Sequence, residues 1–591
     1  MRKKAPLLRL WLSLFILNII VIAPSFMLPR ERLSLGQMLA HGGHTFWQKV
    51  VVLLSFIRQQ NYLWLSIDLL LFVTLLYLLL EWRHVRKALI VFSGVFSALF
   101  LYEIYEVIII RFFTRPPVLD NDALLFIDGL NLMTDLASQL WWLYVLVVVV
   151  FLLLTVYLVP MLFRNLEPGL RFLRLRYCRQ SLIALALLWV AVILLYGHDN
   201  RMKDREGLAQ CTIARVANNV QASLILRDRL NQAISQPRDT TYQTYNQLHL
   251  REKPDVYLFL VESYGKVLAE RSDFRPFYRE VLRSMQSALS GQGWSMMTNY
   301  SEAPVRGGGS WMSIATVLGG IHLDNQAVWV RYITQVHPNF ATFFHQQGYY
   351  TVSLQPNTRQ RPGRPLRNQF AFDRMFLYDD MNYRGPAYGW GVIPDQYSLY
   401  YTSEQLKEVR SPLFLFFMTI TPHLPWSDLP PLVDDWRSLN IAGNSALPDA
   451  PDFQKLKKRI DREMPPDSKE SRYLKIIFYD LLVLQKFILE RVQDNSIVLL
   501  IGDHQPSLVA DRSHDAQTPV HVICKDRQYL ATLKSFGFVN GCYKNPRDED
   551  VIKHEAMFPL VVRTLAERWG ENVTETFPQY KADGASLSII R

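Results

Sequence analysis

Four side chains that are common metal ligands follow three short apolar stretches of this sequence. Glu262 follows VYLFLV, His423 follows LFLFFMTI, and Asp503 and His504 follow IVLLIG. Short apolar stretches of this kind are typical of buried strands, and the carboxyl ends of parallel strands meet at one edge of a sheet. We therefore expect the four side chains to lie close together, where carboxylates and imidazoles would bind a divalent cation such as Mn²⁺ or Zn²⁺.

A glycine-rich loop, VRGGGSWMS, offers a hydroxyl group for chemistry beside that cation. Ser310 follows three glycines, which let a backbone approach a ligand closely, and it precedes an apolar stretch with a helical pattern. At the N-cap of that helix, free N–H groups and the helix dipole would favour a phosphate. A bound metal would lower the pKa of the serine and make it nucleophilic, and Ser313 is a second candidate for this role.

Each of these features also has a simpler explanation. Ser310 alone fits an ordinary helix cap, and His423 fits a turn residue packed against Trp426. A functional site is favoured because the features occur together, with the four candidate ligands at the ends of three apolar stretches.

The elements that would position these residues alternate along residues 251–591. Helical patterns separate most of the apolar stretches that predict strands, which lie near residues 256–261, 349–354, 413–420, 497–501 and 520–524. This alternation predicts an α/β domain with a mostly parallel sheet and helices on both faces. The polar, helical pattern of residues 198–250 predicts linker helices before it.

Five apolar segments precede these elements, and each is long enough to cross a bilayer, which takes about 20 residues. They lie near residues 7–27, 62–80, 88–110, 140–162 and 181–196. Basic residues concentrate before the first segment, between the second and third, and between the fourth and fifth, which places those loops in the cytoplasm. We therefore predict an α-helical domain over residues 1–197 with five transmembrane helices, in the cytoplasmic (inner) membrane. Five spans that begin in the cytoplasm end outside it, so we expect the α/β domain to be the extracytoplasmic catalytic domain.

The same basic loops explain most of the net charge of +11, which comes from 64 basic and 53 acidic residues. They contain eleven basic residues and only two acids, Glu81 and Glu167. The surplus of positive charge therefore reflects membrane topology, and a nucleic-acid partner is not expected.

Three acids lie within the predicted spans, and acids inside a membrane are costly enough to need a partner or a role. They are Asp68, Glu103 and Glu106. One interpretation is a polar notch for a lipid headgroup, and the other is structural pairing with Arg111 or Arg115.

The motifs VESYG, a glycine-rich loop bearing a hydroxyl, HLPW and GDH occur in this order after the apolar segments. Together they resemble the lipoteichoic acid synthase and phosphoglycerol transferase family, which belongs to the alkaline phosphatase and sulfatase superfamily. The resemblance implies a sulfatase-like fold in which Glu262, Asp503 and His504 hold one metal. That metal is usually Mn²⁺, with Zn²⁺ and Mg²⁺ as alternatives. Ser310 would be the nucleophile beside the metal and one of its ligands, and His423 would contact the substrate or protonate the leaving group.

The resemblance also extends to the surroundings of the substrate. YGWGVIPDQ is similar to a Trp-Gly segment of the family, so Trp390 and Asp395 would line a headgroup pocket. Arg306 and Arg359 are candidate phosphate partners, although surface arginines explain them equally well. The implied activity is transfer of a phosphoglycerol headgroup from a membrane phospholipid, through an intermediate on Ser310, to an envelope glycan.

Alternatives remain open at this stage. A phosphoethanolamine transferase of the same superfamily would share the chemistry, but such enzymes usually have a Thr nucleophile and several disulfides; here Cys524 and Cys542 are one candidate pair. A sulfatase would need a C/S-x-P-x-R motif near Ser310, and the sequence has none there. A membrane-anchored protein that binds lipid or glycan without catalysis is the remaining class.

Overall fold

The computed structural model describes residues 5–24, 65–113, 115–123, 141–197, 209–359, 368–389, 393–443, 447–510 and 514–590. The chain forms two compact units, Met1–Leu226 and Arg227–Arg591. The boundary between them lies within residues 198–250, which the sequence predicts to be a linker.

The described part of the first unit is helical, because its sequence is apolar over long stretches with few residues that break a helix. Strands β1 (Leu65–Ser66) and β2 (Ala209–Gln210) are two residues long and pair in parallel. The helices are α1 (Ala5–Ile22), α2 (Ile67–Leu78), α3 (Val85–Phe113), α4 (Trp141–Gly197) and α5 (Thr212–Ser235), the last of which continues into the second unit.

Three segments among the described residues are long and apolar enough to cross a membrane. They are Ala5–Ile22, Val85–Arg111 and Val148–Val192. The second predicted span falls partly on α2, which has 12 residues. The fourth and fifth predicted spans both lie in α4, whose helical geometry is interrupted at Tyr177 (φ −138°, ψ 38°). The structure therefore supports a membrane protein, and the number of five spans stays a prediction.

The acids of the predicted spans contact the start of α5. The Asp68 carboxylate accepts hydrogen bonds from the first backbone amides of α5, at 2.7 Å from Thr212 and 3.2 Å from the next residue, as an N-cap residue would. Arg215, one turn into α5, forms ion pairs with Glu103 and Glu106 of α3, and its Nε lies 2.9 Å from Glu106 Oε2. All of these charged side chains are buried, so the cost of each charge depends on its partners.

This arrangement favours the structural interpretation of the acids, but with a partner that the sequence did not indicate. Arg215 lies 109 positions after Glu106, so no pattern within the spans could reveal it. Arg115, one of the two expected partners, forms its ion pair with Asp122.

Removal of Arg215 would leave two buried carboxylates without this cation. We expect Arg215→Leu to destabilise the first unit by about 3–5 kcal/mol, the usual cost of breaking a buried ion pair from one side. The measurement is the thermal midpoint of the full chain in detergent. Adding Glu103→Gln and Glu106→Gln should restore most of the loss, because neutral amides need no cation. An unchanged midpoint in the single variant would contradict the pairing.

The second unit is built around one sheet. Its described strands are β3 (Asp255–Val261), β4 (Ser295–Glu302), β5 (Tyr350–Gln355), β6 (Arg374–Leu377), β7 (Leu413–Met418), β8 (Ser496–Gly502), β9 (Gln517–Cys524), β10 (Val539–Asn540) and β11 (Ile552–Lys553). Their order across the sheet is β10-β4-β9-β8-β3-β7-β5-β6, and β11 also pairs with β4. Strands β8, β3, β7, β5 and β6 run parallel to one another, whereas β9 is antiparallel to β8 and to β4.

The sheet is therefore mixed, and the predicted parallel arrangement describes one block of it. Strand β9 is antiparallel because the described part of its connection from β8 contains no helix, and a parallel return needs a long crossover. Strand β4 was not predicted, since SMMTNYSE mixes polar and apolar residues and the prediction relied on continuous apolar stretches.

Helices pack on both faces of this sheet. They are α6 (Val267–Glu270), α7 (Arg275–Gly291), α8 (Ser310–Gly319), α9 (Gln326–Tyr332), α10 (Phe340–Gln346), α11 (Asp395–Gln405), α12 (Pro451–Glu463), α13 (Lys469–Arg491), α14 (Arg527–Thr532) and α15 (Met557–Trp569). Phe259 of β3 belongs to a core with α7, α11 and α13, and Leu258 belongs to a core with α8, α10 and α15. Because side chains alternate along a strand and both faces are covered, the central strands β3 and β8 are apolar after their first residues, Asp255 and Ser496.

All four cysteines lie among the described residues, and none of them forms a disulfide. Cys524 belongs to the core on one face of the sheet, and Cys542 belongs to the core on the opposite face. The candidate disulfide between them is therefore not formed, because the sheet separates the two side chains. Burial raises the pKa of Cys524 to about 12, which keeps this thiol protonated and unreactive.

We expect the unreduced chain, alkylated under denaturing conditions, to take up four alkylating groups. The matched control is the same chain after reduction, which should give an identical intact mass. Two fewer groups before reduction would show that a disulfide forms after all.

Candidate active site

Four of the predicted site residues meet at one edge of the sheet. Glu262 follows the carboxyl end of β3, Asp503 and His504 follow that of the neighbouring strand β8, and Ser310 is the first residue of α8. Ser310 Oγ donates a hydrogen bond to Glu262 Oε2 (3.0 Å) and lies 3.2 Å from His504 Nε2. The potential ligand atoms of Glu262, Asp503 and His504 all lie within 4.8 Å of one another.

The loop before Ser310 requires glycine. Gly308 and Gly309 have φ angles of 64° and 76°, in the left-handed region that residues with a side chain rarely adopt. Gly309 is the N-cap residue of α8, so the helix begins at Ser310, one position earlier than the sequence predicts. The positive end of the helix dipole nevertheless lies at Ser310, and this end of a helix favours an anion.

Asp503 is fully buried, and its two oxygens have different surroundings. Oδ1 accepts hydrogen bonds from the backbone N–H groups of Ser263 (2.8 Å) and His504 (2.7 Å). Oδ2 accepts no hydrogen bond from any residue that the structure describes. Burial and the nearby Glu262 carboxylate raise the pKa of Asp503. A buried carboxylate oxygen without a donor is costly, and a cation at this position would satisfy it.

His504 is oriented for a ligand role by its second ring nitrogen. Its Nδ1 lies 3.0 Å from the Gln505 carbonyl oxygen, which can only accept, so Nδ1 carries the proton. In the neutral ring, Nε2 then presents its lone pair to Ser310, and this tautomer is the one that binds a metal. Burial lowers the pKa of His504, but the Asp503 and Glu262 carboxylates outweigh that effect and raise this pKa overall.

His423, after β7, lies near the cluster formed by the other four residues. Its Nδ1 donates a hydrogen bond to the Leu424 carbonyl oxygen (2.6 Å). Burial raises the pKa of Glu262, but His504 and His423 together hold it below its usual value. The His423 side chain is partly exposed, so a substrate can reach the imidazole.

The other predicted substrate contacts are placed less centrally. Arg306 is exposed and precedes Ser310 by four residues. Arg359 stacks on the Tyr378 ring, with its guanidinium carbon 3.8 Å from the ring centroid, which favours the surface interpretation. Trp390 lies outside the described residues, so its place in a headgroup pocket stays a prediction.

Asp395 and Ser313 are both buried. The Asp395 carboxylate accepts hydrogen bonds from the backbone amides of Ile420 (3.0 Å) and Thr421 (2.7 Å). Contrary to its predicted role in substrate binding, Asp395 is therefore a structural residue at the start of α11. The Ser313 hydroxyl donates to the Asp503 carbonyl oxygen (2.8 Å) and is closed to substrate.

Sequence reasoning missed two residues that hold Glu262. Ser263 has a φ angle of 56°, which is strained for a residue with a side chain, and its Oγ donates to Glu262 Oε1 (2.8 Å). Thr419 Oγ1 accepts a hydrogen bond from the Glu262 backbone N–H (3.0 Å). No sequence signal marks the strain at Ser263, whereas Thr419 is a hydroxyl at the end of an apolar stretch and could have been proposed.

Gln505 ties together the loops that follow β3 and β8. Its Oε1 accepts a hydrogen bond from the Val267 backbone N–H (3.2 Å), and its Nε2 donates to the carbonyl oxygens of Asp515 and Gln517. Gly265 leaves room for this side chain, since a Cβ at that position would lie 2.0 Å from Gln505 Oε1.

The residues present fit a divalent cation. Glu262, Asp503 and His504 offer two carboxylates and an imidazole, and the Ser310 oxygen lies beside them. This mixture of oxygen and nitrogen ligands suits Mn²⁺ or Zn²⁺. A cation would also satisfy the donor-free oxygen of Asp503 and offset its repulsion with Glu262.

We expect the chain, after treatment with EDTA, to bind about one equivalent of Mn²⁺ or Zn²⁺. Asp503→Asn should weaken that affinity at least about 100-fold, because it replaces a charged ligand with a neutral amide. Calorimetry and metal analysis measure both quantities. His423→Gln is the matched control and should retain the metal, because His423 is outside the ligand set. Full metal binding by Asp503→Asn would contradict the assignment of the ligands.

Comparison with known proteins identifies a domain over much of the second unit. Residues 295–522 match the family model described as Sulfatase. The match includes Ser310, His423, Asp503 and His504, whereas Glu262 precedes it. It confirms the predicted sulfatase-like domain for these residues. No curated protein matches the chain at a significant level.

Several solved structures are similar to the chain. The lipoteichoic acid synthase LtaP from Listeria monocytogenes is 13% identical, with a TM-score of 0.36 and coverage of 61% of this chain and 81% of that one. The integral membrane protein lipooligosaccharide phosphoethanolamine transferase A (EptA) from Neisseria meningitidis is 13% identical, with a TM-score of 0.45 and coverage of 94% and 95%. The Streptococcus pyogenes phosphoglycerol transferase GacH, in complex with sn-glycerol-1-phosphate, is 13% identical, with a TM-score of 0.33 and coverage of 56% and 78%. These values are too low to assign an activity.

Proposed function

We propose that this chain, whose residues 295–522 form a sulfatase-like domain, is a membrane-anchored phosphotransferase that moves a phospholipid headgroup onto an acceptor hydroxyl. The observation that carries the proposal is the position of Ser310 Oγ, 3.0 Å from Glu262 Oε2 and 3.2 Å from His504 Nε2. A hydroxyl held between candidate metal ligands at the start of a helix is suited to nucleophilic attack on phosphorus. We further propose phosphatidylglycerol as the donor and an envelope glycan as the acceptor.

The cofactor in this proposal is one divalent cation, Mn²⁺, with Zn²⁺ or Mg²⁺ as alternatives. Glu262, Asp503 and His504 would hold it, with Ser310 as a further ligand. When bound, this cation would lower the pKa of the Ser310 hydroxyl and place positive charge near the phosphoryl oxygens.

Ser310, rather than Ser313, is the nucleophile in this proposal. The Ser310 side chain is partly exposed and its hydroxyl faces Glu262 and His504. Ser313 is 0% exposed, and its hydroxyl is committed to the Asp503 carbonyl oxygen. A buried, committed hydroxyl cannot reach a phosphorus atom without local unfolding.

In the first half-reaction, Ser310 Oγ attacks the phosphorus of the lipid headgroup. Glu262 Oε2 already accepts the serine hydrogen bond and is placed to take its proton. The bond from phosphorus to the diacylglycerol oxygen breaks, and His423 donates a proton to that oxygen. The positive end of the α8 dipole stabilises the phosphoryl oxygens, and the headgroup phosphate remains on Ser310.

In the second half-reaction, a hydroxyl of the acceptor attacks the same phosphorus and loses its proton to His423. The bond between phosphorus and Ser310 Oγ breaks, and the serine regains its proton from Glu262. Membrane anchoring fits this sequence of steps, because the donor is a lipid and the first unit contains apolar helices of membrane-spanning length. We propose that the second unit lies on the extracytoplasmic side of the cytoplasmic membrane, as the basic loops indicate.

The choice of phosphoglycerol over phosphoethanolamine is supported by one feature. None of the four cysteines, all of which the structure describes, forms a disulfide. Phosphoethanolamine transferases of this superfamily usually carry several disulfides, whereas a Ser in the nucleophile position departs from both kinds of enzyme and does not distinguish them. Phosphoethanolamine transfer is the alternative that the following experiment distinguishes.

We expect the chain, incubated with Mn²⁺ and fluorescent phosphatidylglycerol, to release labelled diacylglycerol and to gain a glycerophosphate adduct on Ser310. Ser310→Ala should abolish the adduct and slow release at least about 10³-fold, because the nucleophile is removed. Intact-mass analysis and thin-layer chromatography measure the two products. Ser313→Ala is the matched control one turn along α8, and it should still form the adduct.

The other outcomes are equally specific. Turnover of phosphatidylethanolamine alone would assign the other headgroup, and an adduct on Ser313 would overturn the choice of nucleophile. Turnover of neither lipid, together with no bound metal, would support a membrane-anchored protein that binds lipid or glycan without catalysis.

A further inference from the structure

The first half of helix α5 has an inverted distribution of polar and apolar side chains. Between residues 212 and 226 the buried side chains are all polar: Thr212, Arg215, Asn219 and Ser223. The exposed residues of the same stretch are Ile213, Ala217, Val220, Gln221, Leu224 and Ile225, and five of these six are apolar. A helix on the surface of a water-soluble protein has the opposite pattern, with its apolar face buried and its polar face in solvent.

The buried polar face of α5 contacts a part of α3 that is suited to the membrane. Thr212 Oγ1 donates a hydrogen bond to Glu103 Oε1 (2.6 Å), and Arg215 Nε donates to Glu106 Oε2 (2.9 Å). Both glutamates lie within Val85–Arg111, the segment of α3 that is long and apolar enough to cross a bilayer. The start of α5 therefore packs beside α3 within the length of that candidate span.

The next two buried residues of α5 show the direction in which the helix runs. Asn219 Oδ1 accepts a hydrogen bond from the Leu119 backbone N–H (2.7 Å). Ser223 Oγ accepts one from the Asp120 backbone N–H (3.4 Å). Residues 119 and 120 follow the end of α3, so α5 begins beside the candidate span and runs toward the end of it.

The exposed apolar residues lie on a different face of α5. Ile213, Val220 and Leu224 are 38%, 43% and 54% exposed, and their spacings of seven and four place them, with Ala217, in one stripe along the helix. None of the four belongs to the hydrophobic cores that the structure describes in the first unit. We call these four residues the α5 stripe.

The α5 stripe ends where the exposed residues of the helix become charged. Arg227, Asp228 and Arg229 are all exposed and follow the apolar part directly. From residue 213 to residue 224 the helix rises roughly 17 Å, at 1.5 Å per residue. That length is about half of the 30 Å hydrocarbon core of a bilayer.

The neighbouring part of α3 has the same inverted arrangement. Glu103 and Glu106 are buried, whereas Leu101 and Ile108 are 40% and 48% exposed. In water, this arrangement would desolvate charged groups and leave apolar side chains unburied. In a bilayer it is favoured, because charged side chains of membrane helices face the protein interior and pair there, while apolar side chains face the lipid.

We propose that the first half of α5, as far as about residue 226, is embedded in the bilayer beside α3, and that the α5 stripe contacts lipid acyl chains. Hydrocarbon is the partner that fits, because the stripe carries no charge and lies on a helix packed against a candidate span. The polar residues of α5 face inward, which explains why α5 is not among the candidate spans found by hydropathy. Part of the segment that the sequence predicts to be a linker is then a membrane element, whether or not the chain is a transferase.

The test identifies what surrounds the α5 stripe in the full chain. Val220→Cys and Leu224→Cys would each carry a nitroxide spin label, in vesicles of phosphatidylglycerol and phosphatidylethanolamine. Arg229→Cys, in the charged part of the same helix, is the matched control. All three variants are made in a background in which Cys178→Ser and Cys211→Ser remove the native cysteines that are not buried.

Electron paramagnetic resonance measures the collisions of each label with O₂, which concentrates in hydrocarbon, and with a water-soluble Ni²⁺ chelate. We expect the ratio of O₂ to Ni²⁺ collisions at residues 220 and 224 to be at least about tenfold higher than at residue 229, because charged and polar solutes are excluded from hydrocarbon. A ratio at residue 220 equal to that at residue 229 would place the stripe in water and overturn the proposal. Few collisions with either reagent would show that another part of the protein, or a second copy, covers the stripe, and this result also overturns it.

Stability provides a second comparison that needs no label. Val220→Gln combined with Leu224→Gln should lower the thermal midpoint of the full chain in the same vesicles by at least about 2 °C, because each amide would lose its hydration in hydrocarbon. Asp228→Asn combined with Arg229→Gln is the control outside the stripe and should leave the midpoint unchanged. If the stripe faced water, the glutamines would leave the midpoint unchanged or raise it, and the proposal would be wrong.

Discussion

The structure around the site depends on confining two like charges, Glu262 and Asp503, within one buried volume. Neighbouring groups compensate most of that cost: backbone amides contact one oxygen of Asp503, and Ser263 and Ser310 each donate to Glu262. These contacts leave an excess of negative charge, and they leave Asp503 Oδ2 without a hydrogen-bond donor among the described residues. A divalent cation would offset that remainder, and the proposed chemistry depends on the position of the serine beside it.

The sheet lowers the cost of holding these two carboxylates close together. Strands β3 and β8 are adjacent and parallel, so their carboxyl ends deliver side chains to the same place without any change in the strands themselves. Because helices cover both faces, polar side chains are tolerated mainly where the strands end. The active-site edge is thus the place where an apolar core and a cluster of charges meet.

The contrast between apolar strands and polar strand ends also explains how much of the fold and of the site could be predicted from the sequence alone. Glu262, Asp503 and His504 follow buried apolar strands immediately, so the position of each along the chain indicated its position in the fold. Asp395 misled the prediction because an acid after a Trp-Gly segment can face either a pocket or the backbone, and only long-range contacts decide. Long-range contacts also determine the ion pairs of Arg215, the antiparallel direction of strand β9 and the left-handed backbone of Ser263. The periodicity of a sequence does not reveal such contacts.

The contact between Gly265 and Gln505 has a consequence for the diversification of such chains. The two residues belong to motifs about 240 positions apart, yet they share one volume in which a single extra carbon at residue 265 has no space. A relative with alanine at the first position must carry a smaller residue at the second, or must separate the two loops. We therefore expect the loop after β3 and the loop after β8 to be exchangeable only together, because a chimaera that takes one of them from a relative with a larger residue at position 265 would meet this steric conflict beside Glu262 and Asp503.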